Sequence, residues 1–595
     1  MLFGMMIRLL AGQKAPVIAI VFLQLVQTAG NLLLPTVNAA IIDDGIVAGD
    51  TPVILRLGAV MAAIAAVQAG AAIAAGYLGA VVAMKLGRQL RTEIFAKIQA
   101  LSSQEVAAFG TQSLVTRATN DTQQIQSFAV LVFTMLAAAP VMGVGGVLLA
   151  LHQDVVLSSV VIVIVPVLLL IMYLIVRRLV PLYREGQVLL DRTGGVLREQ
   201  IIGASVIRAF VRQGHETRRF ARMNAGLTRN NLASALVVAA MLPLIMIVVN
   251  VSSVAVVWFG GHRVQAGEMK IGALTAFVAY ILQILLAIMM AMYVLMTAPR
   301  AAVCAERIRA VLDTVPSVRD GGDEHGAQDN GRDRDSRPSA GTARPVFDGG
   351  SVEFHNVSFS YPGAEAPVLA NISFTALPGT TTAIVGSTGS GKTTLLNLVP
   401  RFLDSTDGRI TLGGRDIRSV SLDFLRGNMA VVPQRSHLFT GTIADNLRIA
   451  APSATDAELW AALATAQAAD FVRELPLGLQ TAVGQGGTNF SGGQRQRLCV
   501  ARALLRRCPL YLFDDSFSAL DYDTESRLRA SLDGSLGGAV VIVVAERIAT
   551  VACAGLILVL DNGRLVAQGT HTELLETSST YREIAESQLA LEDTL

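Results

Sequence analysis

Polar and apolar positions follow two regimes along this chain. Up to about residue 300, apolar runs long enough to cross a ~30 Å hydrocarbon core recur at residues 15–42, 57–84, 127–151, 155–176, 233–259 and 271–297. Six spans are predicted. The first run is too long for a signal-peptide core and is expected to stay as a span. The connections differ in charge: 85–125 and 177–232 together hold sixteen Lys or Arg, whereas the opposite loops hold Arg56, Arg263 and Lys270. By the positive-inside rule both termini and the two long connections are cytoplasmic. At about 40 and 55 residues those connections exceed any turn, and their helical apolar stripes at 86–101 and 189–210 predict helical hairpins. Such arms would reach ~30 Å beyond the bilayer, toward something they must contact.

From 313 to 350 the composition turns to Gly, Asp, Arg, Ser and Pro around GGDEHGAQDNGRDRDSRPSAG. This predicts a flexible linker between an apolar domain, 1–312, and a more polar one, 351–595. His325, alone in that tract, makes no metal site. Beyond it, 352–361 and 373–385 read as strands, and from 386 strands and helices alternate as in a parallel α/β domain. The totals agree: 595 residues, 52% hydrophobic and 16% charged, are too apolar for a soluble protein. A net charge of +2 offers no basic face for nucleic acid. Cys304, Cys499, Cys508 and Cys553 show no metal spacing and read as reduced thiols.

The chemistry begins at residues 386–394, GSTGSGKTT, between the apolar run 382–385 and a helical pattern at 395–402. Gly386, Gly389 and Gly391, with Ser387, Thr388 and Ser390 between them, let backbone N–H groups wrap a polyphosphate at a helix N-terminus. Lys392 adds charge, the Thr393 hydroxyl suits Mg²⁺, and Thr394 follows in the helix. This loop should bind ATP or GTP. Downstream, LYLFDD at 510–515 is an apolar strand ending in carboxylates, with Asp514 where Mg²⁺ is held. NFSGGQRQR at 489–497 opens a helix, so Ser491, Gly492, Gly493 and Gln494 form a second phosphate-binding surface. One nucleotide cannot use both; the second must serve another chain's nucleotide.

These motifs resemble the ATP-binding cassette (ABC) family, whose signature is FSGGQ. With six preceding spans the chain is similar to an exporter-type half-transporter. The fold this implies is an all-α six-helix membrane domain fused to an α/β P-loop nucleotide-binding domain. The resemblance also implies ATP and Mg²⁺ as cofactors, and two cassettes sandwiching two ATPs. It assigns Tyr361 to the adenine, Gln434 in VVPQ to Mg²⁺ and the attacking water, and SFSALD at 516–521 to communication between sites. Arg117, Asn120 and Asp121 in LVTRATND, and EQIIGASVIRAF at 199–210, resemble the loops whose short helices dock on the cassettes.

Three positions depart from the family. Its catalytic base is Glu after the Mg²⁺ aspartate, but here stands Asp515, one methylene shorter, and a ~1 Å misplacement costs about a hundredfold in rate. Its switch histidine falls at Glu546 in VVAERIAT, a carboxylate facing a phosphate's own charge. Gln485 in TAVGQGG replaces a usual Glu, which suits either altered coupling or, as favoured here, a polar surface substitution. Asp515 and Glu546 both belong to this chain's own phosphate-loop site, while FSGGQ is intact. The expectation is a heterodimer in which a second half-transporter completes the fast site. A slow homodimer, a siderophore-type importer with the exporter fold, and an ATP-gated regulatory subunit stay open, although export is favoured because no extra domain fits before Lys14.

The spans are nearly free of charge. Gln24, Gln27, Asn31, Asn38, Gln68, Asn250 and Gln283 suit either amphipathic cargo, drugs or lipids, or helix-to-helix hydrogen bonds. Met241, Met246, Met289, Met290, Met292 and Met296 suit either an adaptable cargo wall or ordinary packing among membrane lipid.

Overall fold

The computed structural model describes residues 2–321 and 350–592. Most of the 313–350 stretch, with His325, lies outside the described residues. The chain separates into two compact units, Met1–Gln99 with Gly110–Thr314, and Ala100–Phe109 with Val315–Leu595.

Six long helices make the first unit: Gly4–Ile46, Thr51–Ala100, Thr111–Gln153, Ser158–Ile202, Gln213–Gln265 and Ile271–Leu312. Each contains an apolar stretch of spanning length and continues past it; in the second to fifth helices the amphipathic stripes of the two long connections prolong the helical pattern. The third helix thus starts at Thr111 rather than at the expected 127. The fourth starts at Ser158 rather than 155, since Asp154 accepts the Leu157 N–H (2.8 Å) and turns the chain there. The expected stripe at 189–210 is broken at Gly203, after which Ala204–Ala209 forms a separate short helix. Arg117, Asn120 and Asp121 lie together on a π-helical turn, Arg117–Asp121. The core here is built from the last helix against its neighbours, with Phe277 and Tyr280 fully buried.

Within the spans, polar side chains are used for helix contacts. Gln68 Nε2 donates to Asn31 Oδ1 (2.6 Å) and Gln283 Nε2 to the Asn31 carbonyl (2.7 Å), so three helices meet at one asparagine. Met241, Met289 and Met292 pack partly buried against the same core.

The second unit holds two principal sheets. One has six strands in the order Arg564–Gly569, Leu556–Asp561, Thr381–Gly386, Val540–Val544, Leu510–Asp514, Met429–Val432. Its first pair is antiparallel and all other pairs are parallel. The β-branched run Val540–Val544 sits near its centre and is almost wholly buried, as expected for a strand covered on both faces. The other sheet, antiparallel, runs Leu369–Ala376, Val352–Phe359, Asp407–Leu412, Arg415–Asp416. The single strand expected at 373–385 is therefore two strands in different sheets, because Pro378 lacks a donor for the ladder and Gly379 takes φ +71°. In the parallel sheet the strands ending at Gly386, Asp514 and Val544 are adjacent, so whatever follows them converges on one edge.

Candidate nucleotide-binding site

The first of those strands leads into the phosphate loop. Gly389 and Gly391 take φ +85° and +99°, left-handed values that side chains with a Cβ rarely adopt. A Cβ at Gly386 would strike the Leu560 carbonyl at 2.1 Å, so the loop packs tightly as well as turning sharply. The helix Lys392–Leu398 begins at Gly391 with no side-chain cap, leaving its first N–H groups for a ligand. It is shorter than expected, ending before Pro400. Lys392 Nζ donates to the carbonyls of Gly386 (2.8 Å) and Ser387 (2.9 Å), and Ser390 Oγ is buried without a partner. A cradle of free N–H groups, a buried hydroxyl and an ammonium group fits a polyphosphate. Ser387, Thr388 and Gly389 are exposed, whereas Thr394 is buried and stands 3.5 Å, through its hydroxyl, from that of Tyr361. Tyr361, 40% exposed, sets its ring edge-on against Phe359 beside the loop.

At the end of the second strand Asp514 Oδ1 accepts from Thr393 Oγ1 (3.0 Å). This hydroxyl–carboxylate pair is the oxygen donor set that Mg²⁺ takes beside phosphates. Burial pushes the Asp514 carboxyl upward, against the Thr393 hydrogen bond and the Lys392 charge. Burial likewise lowers Lys392, while Glu546, Asp515 and Asp514 all act to keep it charged.

Asp515 leaves the strand at φ +46°, a left-handed conformation for a residue with a Cβ, held by its N–H to the Val544 carbonyl (2.9 Å). Burial raises its carboxyl, and the neighbouring Glu546 charge adds to that, while hydrogen bonds from Ser518 and from Gln434 oppose it. Asp515, Gln434 and Glu546 thus share one corner with Lys392. Glu546 itself is exposed, directly beyond the third strand.

The second phosphate-binding surface expected from the sequence lies elsewhere in the same unit. Ser491 caps the helix Gly492–Leu504 in a reciprocal box: its Oγ accepts from Gln494 N and Gln494 Oε1 accepts from Ser491 N. Ser491 and Gly492 are exposed, and a Cβ at Gly493 would meet the Ala519 carbonyl at 2.9 Å.

A family model described as the ABC transporter transmembrane region matches residues 17–289, and one described as ABC transporter matches 369–518. An uncharacterized ABC transporter ATP-binding protein of Mycobacterium tuberculosis is 45% identical over 96% of this chain and 95% of its own length. The chain belongs to the ABC transporter family. An ATP-dependent lipid A-core flippase of Bordetella avium is 33% identical over 85% of this chain and 82% of its own length. The solved structure of a bacterial Atm1-family ABC exporter with ATP bound superposes with a TM-score of 0.78 over 97% of this chain and 99% of that one, at 24% identity, so the fold is shared. This ABC half-transporter is a multi-pass membrane protein with a cytoplasmic ATP-binding domain, and its ATPase activity is coupled to transport.

Three residues of the ABC domain escaped the sequence reading. Gln496, buried on the signature helix, accepts the Ala519 N–H (3.1 Å) and so holds the SFSALD loop, whose Ser516 Oγ donates to the Val432 carbonyl (3.1 Å). Glu525 and Gln588 hold the segment around Glu546. Only Gln496 carried a signal, as the second Gln of NFSGGQRQR; the other two are distant in sequence from what they touch. Gln485 stands exposed in a turn.

Proposed function

We propose that this chain is one half of a heterodimeric ABC exporter of hydrophobic or amphipathic compounds, and that the ATP site on its own phosphate loop is the slow one. In this reading Gly386 to Thr394 and Tyr361 hold ATP. Thr393, Asp514 and Gln434 hold Mg²⁺, which would neutralise charge between the phosphates, and Ser491 to Gln494 close over the partner's ATP. The observation that carries it is the corner where Lys392 meets Asp515 and Glu546 together. A γ-phosphate there would face Glu546, a carboxylate that can only accept hydrogen bonds unless protonated, where a donor is needed. Asp515, on its left-handed turn, reaches less far than a glutamate toward an attacking water. The capped, exposed signature surface has no such defect. The nearly charge-free spans, and the lipid named for the flippase relatives, support a lipid-like cargo.

The test is ATP hydrolysis by the chain purified alone and by the chain co-purified with a second half-transporter that has Glu after its own Mg²⁺ aspartate. Turnover should rise at least about tenfold in the pair. Equal specific activity in both preparations would make Asp515 a competent base and the protein a homodimeric pump.

A further inference from the structure

We infer that Gln588, on the C-terminal helix, is a positioning residue for the ATP site, because its amide fixes where Glu546 stands. Residues 545–547 have no regular structure between the strand Val540–Val544 and the four-residue helix Ile548–Val551; the Ala545 N–H still donates to the Ile384 carbonyl (3.3 Å) and the Arg547 carbonyl accepts from Thr550 (3.1 Å), which leaves Glu546 between them to be placed from elsewhere. The Gln588 amide places it from outside. Its Nε2 donates to the Glu546 carbonyl (2.7 Å) and its Oε1 accepts the Ile548 N–H (2.7 Å), gripping the chain on both sides of Arg547. Only a side chain with a donor and an acceptor at this reach makes both bonds.

The helix that carries Gln588, Ser579–Glu592, is itself anchored. Tyr581, fully buried, bonds through its hydroxyl to His571 Nδ1 (2.7 Å), and Ala585 is buried one turn on. Tyr581, Ala585 and Gln588 recur at helical spacing and present one face to the domain.

From the other side, the buried Glu525 receives Arg547 Nη1 (3.3 Å), Thr550 Oγ1 (2.5 Å) and Arg529 Nη2 (2.8 Å), while Arg529 Nη1 donates to the Ala549 carbonyl (2.7 Å). Arg547 also reaches the Leu520 carbonyl of SFSALD (3.5 Å). The switch segment is thus latched between the helix that follows SFSALD and the C-terminal helix, and a displacement of either is transmitted to Glu546. Glu525 is buried under several partners, so its removal would disturb the fold. Gln588 is the separable half of the latch.

The inference rests on the reading above that Glu546 faces the terminal phosphate of ATP. The experiment measures affinities of the full chain in lipid nanodiscs for the N-methylanthraniloyl derivatives of ATP and ADP, both with Mg²⁺. Only ATP has a phosphate for Glu546 to oppose. Glu546→Gln should raise affinity for ATP relative to ADP by about threefold to tenfold. Gln588→Ala, freeing the segment to swing away, should raise the same ratio by about threefold, and Gln588→Glu, which keeps only the acceptor, by less. In the Glu546→Gln background Gln588→Ala should leave the ratio unchanged. If Glu546→Gln shifts the ratio but Gln588→Ala moves ATP and ADP together, or neither, the latch is overturned and the site reading stands. An unmoved ratio in Glu546→Gln overturns both. Should Gln588→Ala not fold, the isosteric Gln588→Glu carries the same comparison.

Discussion

The phosphate loop and the signature motif lie in one ATP-binding unit, and each opens a helix, yet their surroundings differ. Around the loop, Asp514, Asp515 and Glu546 crowd a single ammonium group, and burial raises both aspartates. Around the signature, Ser491 and Gln494 satisfy each other in a capping box. In the proposed reading the loop site keeps what binding needs and lacks what hydrolysis needs, while the signature serves a partner's site. The contrast teaches that, in an ABC half-transporter, damage is to be counted per composite site and not per chain.

The largest effect should come from erasing the contrast. Asp515→Glu with Glu546→His, in the chain purified alone, should raise ATP turnover by about a hundredfold, since a reach of ~1 Å is restored and a donor replaces an acceptor. Unchanged turnover in a protein that binds ATP normally would mean that the loop site is slow for some other reason. A smaller effect should sharpen the contrast. In the paired transporter Ser491→Ala should lower turnover by about tenfold, against a few-fold for Lys392→Ala, which empties the slow site. Because Ser491 is also the cap, worth about 1 kcal/mol to its helix, Ser491→Asp is the control: it keeps the cap but sets a charge against the partner's phosphate, and should be at least as damaging. Equal losses for Lys392→Ala and Ser491→Ala would favour two equivalent sites.

Much of this was legible in the chain itself, for identifiable reasons. The six helices follow from apolar runs whose length has one structural use, and the phosphate loop, Asp514 and the signature from short motifs whose spacing is local. Fine boundaries were less legible. Continuous periodicity hid the start of the third helix at Thr111, and Gly203 ended a stripe that looked unbroken. The polar residues of the spans allowed two readings, and for Asn31, Gln68 and Gln283 it took their mutual contacts to show that they join helices. Long-range partners were invisible: nothing in ESQLA foretells that Gln588 grips Glu546, nor does TESRL show that Glu525 holds Arg547.

The smallest expected effect tests the electrostatic side of the comparison. Burial, with the Glu546 charge added, holds the Asp515 carboxyl above the ordinary aspartate range, and Asp514 is raised likewise by burial. A carboxyl raised on folding binds its proton more tightly folded than unfolded. Its contribution to stability is therefore complete below the unfolded value and is lost as pH rises through the folded one. From about pH 4 upward these two carboxyls should subtract progressively from the stability of the ligand-free chain, and Asp515→Asn should remove part of that contribution to the slope. The variant should gain about 1–2 °C over the parent at pH 7 and nothing near pH 4, a modest difference because the group is partly solvated. Parallel slopes for Asp515→Asn and the parent would show that the corner relieves its carboxylates in some other way, and the crowding that distinguishes it from the signature surface would lose its physical basis.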